Sequence, residues 1–391
     1  MTHWFVDSLS EKLTEQEKGV INFSDLDTTQ YLSSNYSKIK HLINIHSWSP
    51  VYIDPDLAYL NTGFSIISQN KLTTAITQFG YDYSTINHTG KFVGKFEYSG
   101  FYPVWKLYGD YGKENSHYYQ INRHYNSHNV VVGQDTISVL YTKRVMNLNL
   151  DVSIPFDFSH GKMYRLIQPE IQLGYSFDWQ EPTTPIAIFR GSYVPLTFRL
   201  YAHNLRQQCA RDLQPKCGQI IDLSYRSTPL GDRQLGTISA ANGTLFLPGF
   251  FNNHGIKLYA GYQKKVNGNS YFDDLIYYPR GYANFENNKL FTFRSDYVFP
   301  LGCPDWHIGR LYYLKRLSLR IHYDWARIDM PIYQASGIIS RSLNSTGGEL
   351  LTECHFFRFI APVNMGIRES FLIDSKVAIS EFIFSVNLNQ L

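Results

Sequence analysis

The sequence contains no run of about 18 apolar residues, so no segment reads as a membrane-crossing helix. Charge of one sign is also missing: 36 Lys and Arg face 33 Asp and Glu, and a net charge of +3 offers no field for nucleic acid. There is no Gly-x-Ser-x-Gly, no phosphate loop, no Gly-x-Gly-x-x-Gly and no Cys-x-x-Cys. No enzyme activity, cofactor or metal is therefore expected. The opening residues, Met1 to Asp7, have neither a basic start nor an apolar stretch, which excludes a signal peptide there. No internal repeat of fixed length is visible, against a propeller.

Aromatic residues, by contrast, are abundant: 30 Tyr and 26 Phe bring the aromatic share to 16%. Ser8 to Lys18 is charged and lacks an apolar stripe, so residues 1–45 read as an N-terminal periplasmic linker segment. From about residue 61 the pattern has period two. Met146, Leu148, Leu150, Val152 and Ile154 alternate with Asn147, Asn149, Asp151 and Ser153. Ile171 to Trp179, Leu317 to Trp325 and Phe382 to Leu388 alternate in the same way. Period two places each set on one face of a strand.

A soluble sandwich would also present an apolar face, but its other face would not carry charges and amides in strand after strand. Strands of about 9–11 residues with aromatic ends suit a tilted membrane span. The expectation is all-β: a transmembrane antiparallel β-barrel over residues 46–391, with about 16 strands at roughly 20 residues per strand. Its first strand falls near 61–68 and its last near 377–388. Polar stretches near 112–135, 179–190, 202–218, 264–276 and 328–347 are expected as long outer loops. Short turns on the other side are expected near Gln69-Asn70-Lys71, Gly100 to Pro103, Pro362 to Gly366 and Asp374-Ser375-Lys376.

Cys209 and Cys217 share one of the expected outer loops. Outside the cell such a pair can close a small loop as a disulfide, with two free thiols the alternative. Cys303 and Cys354 read as free, small apolar residues.

Tyr277-Tyr278-Pro279-Arg280-Gly281-Tyr282 is followed by the alternating run Leu290 to Leu301, which carries Asp296 and closes on Pro300-Leu301. This combination resembles the BamA superfamily of outer-membrane barrels, which insert or export proteins. Readable motifs cover roughly residues 275–391, and the rest is similar in pattern only. The resemblance implies that Arg280, Gly281 and Tyr282 form the tip of an inward-folded loop. It also implies that Arg280 meets lumen carboxylates on the next two strands. Alternation supplies these as Asp296, on the face of Thr292 and Arg294, and Asp324, on the face of Arg320 and His322. A guanidinium in a partly dehydrated lumen needs a planar two-oxygen partner, and Gly281 lets the tip turn close to the wall. Pro279 stands where the family usually has a β-branched or apolar residue, and the chain ends on Asn389-Gln390-Leu391 rather than on an aromatic residue.

His41 to Pro50, with Ser68 to Leu72, resembles the barrel start of large Bacteroidota envelope proteins, which often carry a propeller ahead of the barrel. An excised C-terminal barrel is therefore expected. The resemblance implies a place in the bacterial outer membrane, among its lipid bilayer and lipopolysaccharide. It implies a role in protein insertion or translocation, with client proteins and partner lipoproteins and no nucleic acid. The alternative is a passive channel, or a membrane anchor for a missing periplasmic domain and its lipoproteins.

Overall fold

A computed structural model describes residues 37, 38, 40–54, 59–85, 87–125, 131–180, 191–209, 211–266, 272–285, 287–332, 337–357 and 362–386. Most of the expected linker, 1–45, lies outside the described residues. From Leu42 onward the chain is one compact unit. It is a single antiparallel sheet of 18 strands. In order they are β1 Ile45–Asp54, β2 Tyr59–Gln69, β3 Ala75–Ser84, β4 Thr89–Tyr98, β5 Val104–Tyr125 and β6 Val131–Ser153. Next come β7 Phe156–Asp157, β8 Met163–Gln180, β9 Gly191–Arg206, β10 Gly218–Gly231, β11 Thr237–Pro248 and β12 Gly255–Val266. The last six are β13 Lys289–Gly302, β14 Trp306–Ile308, β15 Tyr312–Ile332, β16 Gly337–Phe356, β17 Val363–Leu372 and β18 Val377–Val386. β7 and β14 are pieces of two and three residues inside turns, which leaves sixteen long strands.

Every long strand pairs with its neighbours along the chain, which keeps the connections local. β1 pairs with β2, and β18 with β17. Among the described residues no ladder joins β18 to β1.

The two faces of the sheet have opposite polarity. Phe79, Leu173, Phe198, Leu223, Ile321 and Phe382 are exposed, while alternate positions such as Asp110, Asp178, Thr292, His322, Asp324 and Ser370 are buried. In water this pattern would leave each exposed side chain short of about 1.5–3 kcal/mol of burial energy. In a bilayer it is the expected one. The polar groups of the sheet thus lie on its buried side.

Several sequence expectations are corrected. The first strand is β1 at 45–54, not near 61. Register shifts between Ile45 and Ser47, and between Ser49 and Val51, break the alternation around Pro50 and hide it. The polar stretches 112–135 and 328–347 are mostly strand, the β5–β6 and β15–β16 hairpins. There the ladder hydrogen bonds continue where the hydrophobic period stops. Segment 207–217 lies on the rim that also carries the start of β1 and the end of β18. The turn Asp374-Ser375-Lys376 lies on the opposite rim, with loop 272–285. Strand parity decides these positions; loop length does not.

Candidate functional site

The connection between β12 and β13 is described over residues 272–285, and this loop lies on the buried polar side of the sheet. Its base is held by Asp274, which accepts from Lys265 Nζ at 2.6 Å, from Asn287 Nδ2 at 3.0 Å and from Gln263. Asn287 also donates to the Tyr278 hydroxyl at 2.7 Å, and that hydroxyl donates to the Phe285 carbonyl at 2.7 Å. Above the loop tip, Ile276 and Tyr278 pack with Ala240 of β11, Leu290 of β13, Ala326 and Ile328 of β15, and Leu343 of β16. These apolar groups face the interior, and their burial stabilises the inward course of the loop by about 1.5–3 kcal/mol per large side chain.

At the tip, Arg280 is 5% exposed. Its Nε and Nη2 donate to the two oxygens of Asp324 at 2.9 and 2.8 Å, and its backbone N–H donates to Asp324 Oδ2 at 2.9 Å. Nη2 also donates to Asp296, and Nη1 donates to Glu349 Oε1 at 3.0 Å. The structure thus brings Arg280, Asp296 and Asp324 together. It adds Glu349 of β16, which alternation along the sequence does not single out. Glu349 is fully buried and also accepts from Arg320 Nη1 at 2.7 Å and Arg368 Nε at 2.8 Å. Arg368 reaches Glu381 of β18 at 3.2 Å, and Arg294 lies 3.6 Å from Asp324. Four guanidiniums and four carboxylates form a balanced cluster that crosses from the loop to β13, β15, β16, β17 and β18. Balance matters because an unpaired charge in this dehydrated space would be costly.

Gly281 has φ +83°, and a Cβ there would sit 2.9 Å from Leu372 Cδ2 and 3.1 Å from Ser370 Cβ. The tip thus lies against β17. Gly281→Ala is expected to cost about 1–3 kcal/mol through backbone strain. It should speed proteolytic cutting within 272–285 of the folded protein, and an unchanged cutting rate would contradict the close approach. The Tyr282 hydroxyl lies 3.0 Å from both the Asn344 carbonyl and Asp374 Oδ2. Burial and the Asp374 carboxylate raise the Tyr282 pKa, so the phenol stays a donor that ties the loop to the β17–β18 turn.

A second segment enters from the other rim. Arg316 of β15 donates to the backbone carbonyls of Arg211 and Asp212, both at 3.2 Å, although three strands, β11 to β13, separate β15 from β10. Glu353 fixes Arg316 with an Nε–Oε2 distance of 3.0 Å. Segment 207–217 therefore folds inward instead of forming an outer loop. Between it and the Arg280 cluster lies a cavity of about 360 Å³, lined by Gln208, Asp212, Arg316, Arg320, Glu349 and Arg368 among others. Cys209 and Cys217 are both exposed free thiols, so the structure does not form the disulfide weighed from the sequence. Asp212 orders this segment instead, accepting from the Cys209 backbone N–H at 2.9 Å and pairing with Lys216 at 3.3 Å. Among the described residues no group of His, Cys, Asp and Glu is arranged to hold a metal.

No family model matches the chain, and no curated protein matches it by sequence. Among solved structures it is similar to CdiB from Escherichia coli, with TM-score 0.50 and 10% identity over 84% of this chain and 59% of that one. It is also similar to CdiB from Acinetobacter baumannii, with TM-score 0.48 and 10% identity over 83% and 56%. The chain spans less than two thirds of the length of either protein. At such identity the likeness is one of fold.

Proposed function

We propose that this chain is a bacterial outer-membrane barrel, similar to the BamA superfamily, that helps to insert or translocate proteins. Its proposed mechanism is structural and involves no side-chain catalysis. One observation carries the proposal. The Arg280 cluster ties an inward loop to the wall formed by β13 and β15–β18, beside the seam where the described ladders stop. β18 presents Phe382 and Phe384 outward, and β1 presents Ile45 and Trp48 outward. Unpaired backbone groups at such edges are costly in hydrocarbon, and an extended client strand can satisfy them by adding to the sheet. The loop would keep the late strands in register while the seam opens. The fold likeness to CdiB from Escherichia coli is consistent with this reading.

The second reading, a passive channel or an anchor for periplasmic domains and lipoproteins, is less favoured. Two inward segments and an apolar cluster occupy the interior, which is not how a wide aqueous pore is built. Reconstitution into phospholipid vesicles separates the readings. Faster folding of an added outer-membrane client, with low conductance, is the expected result. Steady conductance with no effect on client folding would support the channel instead.

A further inference from the structure

The outer face of β8–β10 carries a slot at the rim where β1 starts and β18 ends. Exposed Ile171, Leu173 and Tyr175 set the outward face of β8, and two-residue steps back along it place Ile167 and Arg165 on the same face. Across the ladder, Arg165 faces Asn204 and Ile167 faces Ala202 on β9; Gln219 and Ile221 of β10 face the same two residues. Ala202 is the small floor, and Ile167 (44% exposed) and Ile221 (49% exposed) are the walls. Phe158, 57% exposed, closes one side, positioned by its backbone N–H donating to the Arg165 carbonyl at 2.8 Å. The slot is open to the outside and has a volume of about 400 Å³.

The slot ends on a polar row, Arg165, Asn204 and Gln219, at the rim. Arg165 Nε donates to Asn204 Oδ1 at 3.2 Å, and among the described residues Arg165 has no ion pair. A guanidinium on a lipid-facing surface needs an anion, and at a membrane boundary the available anion is a headgroup phosphate. An apolar slot that ends on a cation and two amide side chains matches the upper part of an acyl chain joined to a phosphate.

We propose that this slot binds one phospholipid of the leaflet at that rim, with its phosphate on Arg165, its glycerol region on Asn204 and Gln219, and one acyl chain over Ala202. The proposal rests on the membrane reading above. The test uses the full chain folded into vesicles containing phosphatidylglycerol, then extracted in mild detergent for native mass spectrometry. The expected wild-type result is one retained phosphatidylglycerol. Arg165→Ala is expected to weaken retention roughly tenfold by removing a charge-assisted contact, and Arg165→Lys less so. Ala202→Phe should abolish retention by filling the floor. Equal retention in wild type, Arg165→Ala and Ala202→Phe overturns the slot, as does equal retention of uncharged diacylglycerol by wild type. Folding is followed separately by heat-modifiable gel mobility. A protein that never inserts overturns the membrane reading and the slot with it, whereas one that inserts and holds lipid indifferently overturns the slot alone.

Discussion

Glu349→Gln is expected to lower the stability of the folded barrel by about 3–5 kcal/mol, the range for breaking a buried ion pair by removing one partner. Glu349 is fully buried and holds three guanidiniums, those of Arg280, Arg320 and Arg368, at 2.7–3.0 Å. Glutamine keeps the shape but removes the charge, and it turns an acceptor oxygen into an amide donor facing other donors. Urea unfolding in detergent, followed by gel mobility, measures the loss. Glu381→Gln is the control: Glu381 is 41% exposed and pairs with Arg368, so it should cost less than about 1 kcal/mol. Equal effects at the two positions would mean that the cluster is solvated and the loop is not held by it.

The second large effect is expected at Arg280. Arg280→Ala leaves Asp296 and Asp324 short of a counter-charge in a buried site, again at about 3–5 kcal/mol. Arg280→Lys keeps the charge but should recover less than half of the loss. An ammonium is a point donor and cannot reach both Asp324 oxygens, Asp296 and Glu349 at once. Both variants should still form the sheet, because the ladders do not use this side chain, yet loop 272–285 should become accessible to protease. On the proposed function, client insertion should fall at least about tenfold in both. Full activity in Arg280→Lys with a protected loop would show that charge alone suffices. Lost activity with the loop still protected would point to a role other than tethering. A double cycle with Asp324→Asn separates the contact from general strain.

The sheet was legible because period two is written plainly in the stretches Ile171 to Trp179 of β8 and Leu317 to Trp325 of β15. β1 was not, because Pro50 and two register shifts break the period there. Strand ends within polar sequence were also invisible, since backbone pairing in β5–β6 leaves no hydrophobic signature. In the site, the face of Asp296 and Asp324 followed from alternation, and their meeting with Arg280 was expected from the family resemblance. Glu349 was missed because Gly347 and Gly348 carry no side chain to mark a face. Its register opposite Arg320 supplies the missing signal, but only once β15 and β16 are paired. Gly347 is itself forced, since a Cβ there would meet the Glu369 carbonyl oxygen at 1.9 Å and His322 Cε1 at 2.9 Å. Segment 207–217 was misplaced because its cysteines and charges resemble an outer loop, whereas its rim is fixed by how many strands precede it.

On the proposed function, the outward apolar face of this sheet meets lipid. Refolding the full chain in water alone and in phospholipid vesicles, with unheated and heated gel mobility compared, tests it most directly. The predicted result is a compact, fast-migrating form that appears only with lipid or detergent and is lost on heating. A monodisperse, folded monomer in water without either would contradict it.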